Sequence, residues 1–468
     1  MTARPRAILT ALACCGVLMS VMQTIVVPLL PQLPALTGST TADVGWLVTV
    51  TLLTGAVLTP LLGRAGDMYG KRRVLLLALA LMVVGSLLCA TSSWLPILIT
   101  GRALQGGAVA VIPLGISILR DELPAERVIP SIALMSATMG MGAALGIPAA
   151  TTVMQYLDWH TMFWVCVAMG VANMVSVVLI VPESPVRTSG RFDILGAVGL
   201  SAFLVCLLLA VSKGSQWGWT SPATLTTVLA AIVILPLWTI QQLRNNEPLV
   251  HLRVSMRPAV LFTNLAALLI GFAFYANSLS TAQLVQEPVS TGYGQGASIM
   301  VSGLCLLPGG LAMVALSPVS ARLSKARGPR FTLAIAAVIL VIGYVVRLFT
   351  SQSMAGIVVG ATVVAAGTAV AYSALPALIM HAVPVTETAA ANGLNTLMRS
   401  VGQAVCSATV SSVLASLVAT HAGLTAPTLG AYQLVFVIAG LAAVCALVLT
   451  LLIPAARPVA REELALAR

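Results

Sequence analysis

Gly63-Arg64-Ala65-Gly66-Asp67-Met68-Tyr69-Gly70-Lys71-Arg72-Arg73 is a dense run of glycine and charge between two long apolar stretches, in a 468-residue chain that is otherwise nearly uncharged. Charge beside a bilayer segment needs a reason. Glycines at this spacing let two helices join through a tight turn. The expectation is a turn whose basic residues Lys71, Arg72 and Arg73 stay on the cytoplasmic surface. A turn that only followed that charge preference would not need Asp67, an aspartate of the kind found buried.

The chain is 59% hydrophobic and only 8% charged, with a mean hydropathy of +1.02. A soluble domain carries roughly a quarter charged residues, so the composition calls for a polytopic membrane protein set in a lipid bilayer. The net charge of +11 falls mostly in short loops on alternate sides of the apolar runs. It therefore encodes topology and not a nucleic-acid partner. All eight cysteines (Cys14, Cys15, Cys89, Cys166, Cys206, Cys305, Cys406 and Cys445) lie in apolar runs with no CxxC pair, as small packing residues and not as disulfides or a metal site. An enzyme is disfavoured: HExxH, GxSxG and paired loop acids are all missing, and the longest non-apolar stretches are about 15 residues. No cofactor is expected.

A spanning helix needs about 20 apolar residues. Fourteen runs qualify: 8–30, 44–63, 74–91, 95–119, 128–155, 161–181, 194–212, 223–243, 259–285, 296–319, 331–349, 355–380, 389–418 and 430–453. The first follows Arg4 and Arg6 and reads as a spanning helix with a cytoplasmic start, too long for a signal-peptide core. Twenty of the twenty-four Lys and Arg residues fall in segments this count calls cytoplasmic; Lys213 falls outside, and Arg102, Arg347 and Arg399 lie within helices. Both termini are therefore expected in the cytoplasm, with the chain in a bacterial plasma membrane.

The chain also repeats itself. Pro60-Leu-Leu-Gly-Arg-Ala-Gly-Asp-Met-Tyr-Gly-Lys-Arg72 aligns without a gap to Pro318-Val-Ser-Ala-Arg-Leu-Ser-Lys-Ala-Arg-Gly-Pro-Arg330, matching Pro60, Arg64, Gly70 and Arg72 to Pro318, Arg322, Gly328 and Arg330. Lys325 stands where Asp67 would. Two six-helix halves related by an axis along the membrane normal produce such a repeat. The expected division is an N-terminal bundle over 1–187, an inserted helix pair with linkers over 188–257, a C-terminal bundle over 258–454 and a cytoplasmic tail over 455–468.

Gly63, Asp67, Gly70 and the basic run Lys71, Arg72, Arg73 together resemble the loop between helices 2 and 3 of major facilitator superfamily transporters. Gly101-Arg102-Ala-Leu-Gln105-Gly106-Gly107 resembles that family's helix 4 motif, whose arginine sits at the central cavity and is linked to proton coupling. By its own chemistry Arg102 must face a cavity or a partner, or brace the bundle through backbone carbonyls. Gly140-Met-Gly142-Ala-Ala-Leu-Gly146-Ile-Pro148 puts small residues at i and i+4 before a proline, which permits close helix contact and a kink. It resembles the helix 5 motif of exporters, with the usual Gly-Pro pair spread to Gly146-Ile147-Pro148. Asn392-Gly-Leu-Asn395-Thr-Leu-Met-Arg399-Ser-Val-Gly402-Gln403 adds a polar strip to helix 13. Over nearly its whole length the chain is similar to the 14-helix drug:proton antiporter branch.

That resemblance implies a secondary active transporter that exports small amphipathic molecules by alternating access, in exchange for protons and as a monomer. Asp67 would then reach from one half to the positive N-terminus of a helix in the other, with Arg72 and nearby basic groups completing a latch. Members of the branch commonly carry an aspartate in helix 1 two residues before Thr-Ile-Val. This chain has Met22-Gln23-Thr24-Ile25-Val26 instead. A proton carrier must gain and lose a proton in each cycle, and the acids left near the outer face are Asp43, Asp158 and Glu287. Asp43 reads first as the cap of helix 2, where the helix dipole favours an acid. With Arg102 and Arg399 as the buried charges, neutral or anionic substrates are favoured over cations. Phe272, Phe274, Tyr275 and Asn277 on helix 9 and Tyr372 on helix 12 are pocket residues under this reading, and packing residues otherwise. The alternative function is lipid or metabolite transport by the same fold without proton coupling. The histidines His160, His251, His381 and His421 read as solvated surface groups.

Overall fold

The computed structural model describes residues 3–26, 29–30, 32–421 and 424–454, so the tail expected over 455–468 lies outside the described residues. Fourteen long helical rods run through the described chain. They are α1 (Ala3–Thr24), α2 (Trp46–Tyr69), α3 (Lys71–Thr91), α4 (Leu95–Glu122), α5 (Ala125–Tyr156), α6 (His160–Ile180) and α7 (Ile194–Trp217). They continue with α8 (Pro222–Arg244), α9 (Pro258–Gln286), α10 (Ile299–Arg327), α11 (Pro329–Thr350), α12 (Met354–Ala382), α13 (Thr388–Ser416) and α14 (Leu429–Leu452). Among the described residues, twelve of these are long and apolar enough to cross a bilayer, and α5 and α13 complete the set of fourteen. A helix in lipid satisfies its own backbone, which is why this architecture can span. The chain is an all-α multi-pass membrane protein.

Local chemistry starts several of these helices. Asp193, Ser221, Ser298, Ser353 and Thr428 cap α7, α8, α10, α12 and α14, each side chain accepting a first-turn N–H. The rod α4 is interrupted by a 3-10 turn at Gly107–Ala110. Between α13 and α14 the structure has a hairpin of β1 (Val418–His421) and β2 (Leu424–Pro427), where the sequence pattern extended the helix to 418.

The charged segment at 63–73 departs from the expected turn. Helix α2 carries on through Asp67 to Tyr69, and Gly70 alone makes the break, with φ 113°. The repeat has the same geometry, since Gly328 joins α10 to α11 with φ 85°. A residue with a side chain is strained at such angles. At Gly70 an added Cβ would also lie 2.6 Å from Glu183 Oε1.

The pair α7 and α8 packs on α2 and α13, one helix from each half, through Ala56, Leu200, Leu204, Trp238, Leu397 and Val401. Its base is knotted by Asp193, whose carboxylate accepts from Gly196 N–H at 2.8 Å, Gln242 at 2.6 Å, Gln241 at 3.2 Å and Leu249 N–H at 3.3 Å. Burial pushes this carboxyl up, but the bonds from Gly196, Gln242 and Gln241 outweigh it and hold its pKa below the usual value. A depressed carboxylate stabilises the fold above its unfolded pKa near 4 and loses that contribution as pH falls through its folded value. Asp193→Ala should therefore loosen the pair at pH 7 by roughly 1–3 kcal/mol, with the difference from wild type shrinking as pH falls below about 4. Protease cleavage of the linker at 245–257 should quicken at pH 7; an unchanged rate would show that the knot does not hold the pair.

Candidate functional site

Where α2 meets the start of α13, two glycines remove the side chains that would separate them. A Cβ on Gly63 would lie 2.7 Å from Ala389 O, and one on Gly393 would lie 3.1 Å from Thr59 O. This close approach brings Asp67 beneath the N-terminus of α13. Its Oδ1 accepts from Ala389 N–H at 3.2 Å and its Oδ2 from Ala390 N–H at 2.8 Å. The residue preceding that helix, Glu387, supplies no side-chain cap of its own. Asp67 caps α13 from the other half of the molecule, where the helix dipole favours an anion.

Lys71 opens α3 and is fully buried, not on the surface as its basic run implied. Its ammonium lies 2.6 Å from Asp121 Oδ2 and 3.8 Å from Asp67 Oδ1, with all three side chains sealed from solvent. Ser184 Oγ donates to the same Asp121 oxygen at 2.5 Å. The physical reason is that Lys71 begins α3 after the break at Gly70 with its side chain directed into the bundle, where Asp121 neutralises it, whereas Arg73 points outward. Arg72 does not join Asp67. Its backbone N–H reaches Glu183 Oε1 at 3.2 Å and its guanidinium meets Val178 O. Arg73 is largely exposed, 3.7 Å from Glu183.

More groups tie this face than the sequence pointed out. Arg120, at the end of α4, donates to Thr388 Oγ1 at 2.5 Å. In the linker after α6, Thr188 N–H donates to Asp67 O at 2.7 Å and its hydroxyl to Thr386 O at 2.7 Å. His251, in the linker after α8, pairs with Glu387 at 3.3 Å and is not merely a solvated group. Asp121 had one legible signal, an acid closing an apolar helix beside Arg120. Thr188 and Glu387 had none.

Arg102 braces the N-terminal half. It donates to Met22 O at 3.2 Å, Leu47 O at 3.3 Å and Gln105 Oε1 at 2.7 Å, while Gln105 donates to Ser86 at 2.8 Å. Arg399 belongs to a different group. It bonds Thr396 at 2.9 Å, touches Met139 Sδ of α5 at 4.0 Å and lies 4.6 Å from the centre of the Tyr372 ring. Asn395 donates to Asn264 at 2.9 Å. Phe274 lies 5.7 Å from Tyr372, ring to ring. Phe274 and Asn277 share a central cavity with Gly140, Gly309, Met313 and Ala361; Tyr275 is not one of its walls. Behind Asn277 sits Arg347, fully buried, bonded to the Asn277 amide and stacked 4.3 Å from Phe436.

The helix 5 glycines divide their work. Gly142 and Gly146 leave room for Ser20 and Thr24 of α1, and Gly140 leaves room for Met313 of α10. Pro148 lies within α5, and its side chain is outside the described residues. Asp43 is exposed in a short helix before α2 and exchanges hydrogen bonds with Thr40. Asp158 is likewise exposed, bonded to His160, which with the local backbone N–H lowers its pKa. Glu287 ends α9 and accepts from Tyr432 at 2.7 Å. The structure thus gathers Gly63, Asp67 and Lys71 into one cluster and leaves Arg102, Arg399, Asp43 and Glu287 in four separate places.

Known proteins agree with this architecture. The multidrug resistance protein Stp of Mycobacterium tuberculosis is 26% identical over 374 residues, which is 79% of this chain and 68% of Stp. The tetracenomycin C resistance and export protein of Streptomyces glaucescens is 27% identical over 328 residues, 70% of this chain and 60% of that protein. The crystal structure of the human organic anion transporter MFSD10 (TETRAN) superposes with a TM-score of 0.69 at 17% identity, over 95% of this chain and 99% of that one, a likeness of fold alone. With residues 12–407 matching the profile described as Major Facilitator Superfamily, the chain belongs to that family of membrane transporters.

Proposed function

We propose that this transporter exports small amphipathic molecules, neutral or anionic, across a bacterial plasma membrane by alternating access, in exchange for protons. The observation that carries the reading is the capping of α13 by Asp67. A carboxylate of one half closes on the helix N-terminus of the other, so the pathway is shut on this face by a contact that opening must break. The span count, which puts twenty of the twenty-four basic residues on this same side, supports a cytoplasmic position for it. Substrate or proton then shifts the balance between closed and open forms by its differential affinity for them.

Export is supported by the small-residue face of α5 and by relatives named for resistance and export. The substrate preference is supported by Arg347 and Arg399, buried next to residues of the cavity of Phe274 and Asn277, with no carboxylate bonded to either among the described residues. No additional protein chain is needed to complete the pathway. Met22, at the position where members of the resembled branch commonly carry an aspartate, favours a second reading in which the same cycle moves a lipid or metabolite without protons.

Inside-out vesicles separate the two. Uptake of fluorescent amphipathic anions and cations would be followed with and without an acid-inside gradient. Gradient-driven accumulation of anions over matched cations is expected. Uptake indifferent to the gradient would remove the proton, and absence of uptake for every compound would remove drug-like export.

A further inference from the structure

Beside Asp67 the same seam encloses a small cavity that the latch does not use. Its walls come from both halves and from the linker after α8: Pro60 and Arg64 of α2, Leu249, Val250, His251, Val254 and Ser255 of the linker, Val260 of α9, Val383 and Glu387 between α12 and α13, and Ala390, Ala391 and Leu394 of α13. Most of this lining is apolar. The exceptions are Arg64, His251, Ser255 and Glu387.

Arg64 is the anomaly. It is only 3% exposed, and its Nη1 is buried with no hydrogen-bond partner. The carboxylate nearest along its helix is Asp67, whose oxygens are already engaged by the Ala389 and Ala390 N–H groups and by Lys71. Glu387 is engaged by His251 at 3.3 Å. A buried guanidinium donor left free in a cavity calls for an acceptor, and its planar fork matches a carboxylate or phosphate.

We propose that this cavity is a regulatory site for a compact amphipathic anion, whose head meets Arg64 and whose apolar body lies against Leu249, Val254, Val260 and Leu394. His251 stands at the same cavity, where it holds Glu387. Because Arg64 and Leu394 belong to opposite halves, the site is complete only while this face is closed. A ligand that binds only the closed form stabilises it, and the effect is reciprocal. Accumulated anion would hold the transporter closed and slow its cycle. The inference rests on the latch reading, but its readout needs no transport, so the two fail separately.

The test is hydrogen exchange of the full wild-type chain in micelles, with hexanoate as probe and hexanamide as its neutral counterpart. Hexanoate should slow exchange at backbone amides 249–255 and 388–394 at least about threefold, since these segments close over the cavity. Hexanamide should not. Arg64→Gln should abolish the effect, and so should Val254→Trp, which fills the cavity and leaves the guanidinium in place. In nanodiscs, slowing by phosphatidylglycerol without hexanoate would uphold the site and assign its anion to the lipid. Equal slowing by hexanamide, persistence in both variants, or no slowing by either anion would overturn the proposal and leave Arg64 as a packing cation.

Discussion

Asp67→Asn is expected to cut export to below about a tenth of wild type while the protein still reaches the membrane in normal amount. The carboxylate accepts two N–H groups of α13, one on each oxygen. An amide has one acceptor oxygen, and its NH2 would be turned toward the other N–H, donor against donor. Charge-assisted bonds contribute about 1.5–3 kcal/mol each and the helix terminus a little more, so the closed form should lose roughly 2–4 kcal/mol. That shifts the conformational balance by about 30- to 1000-fold. Folding should survive, because Lys71 keeps Asp121 at 2.6 Å as a neutralising partner. Vesicle uptake, normalised to protein detected in the same membranes, measures this. Wild-type export by the variant would remove the latch from the mechanism.

Lys71→Met should act on the fold itself. It leaves Asp67 and Asp121 buried together, both at 0% side-chain exposure, with no ammonium between them. Breaking a buried ion pair from one side costs about 3–5 kcal/mol, more than most surface changes by an order of magnitude. Removing Asp121 as well should be milder than removing Lys71 alone, since Lys71→Met with Asp121→Leu replaces charge by apolar volume. Buried thiols such as Cys15, Cys89 and Cys166 provide the readout. A fluorogenic thiol reagent should react with the single variant at clearly lower temperature than with wild type, and with the double variant in between. Equal melting of the single variant and wild type would mean that the cluster is solvated.

The two variants differ in which link they break. Asp67 joins the halves, and its loss changes a population of states. Lys71 joins helices of one half, α3 to α4, and its loss changes whether that half holds together.

Much of this protein was legible in its sequence. The fourteen rods follow from hydropathy, because a bilayer asks each segment for a local sum over about 20 residues. The repeat of Pro60 to Arg72 at Pro318 to Arg330 foretold two junctions of one shape, and Gly70 and Gly328 share it because both need positive φ. The glycines of α5 announced close helix contact through their missing side chains, whereas Gly63, read as part of a turn, lies inside α2 and lets α13 approach. What the sequence could not supply is pairing across distance. Asp67 and Ala390 are 323 positions apart, and nothing local to either names the other. The inward turn of Lys71 depends on how α3 packs against α4, and the bond from Arg120 to Thr388 and the linkers strapped over the seam depend on how two packed halves register. The hairpin at 418–427 escaped for a related reason, since its strands exist only by pairing with each other. Membrane insertion is a property of segments and can be read one segment at a time. The closed face is a property of pairs, fixed only when both halves are folded and in contact.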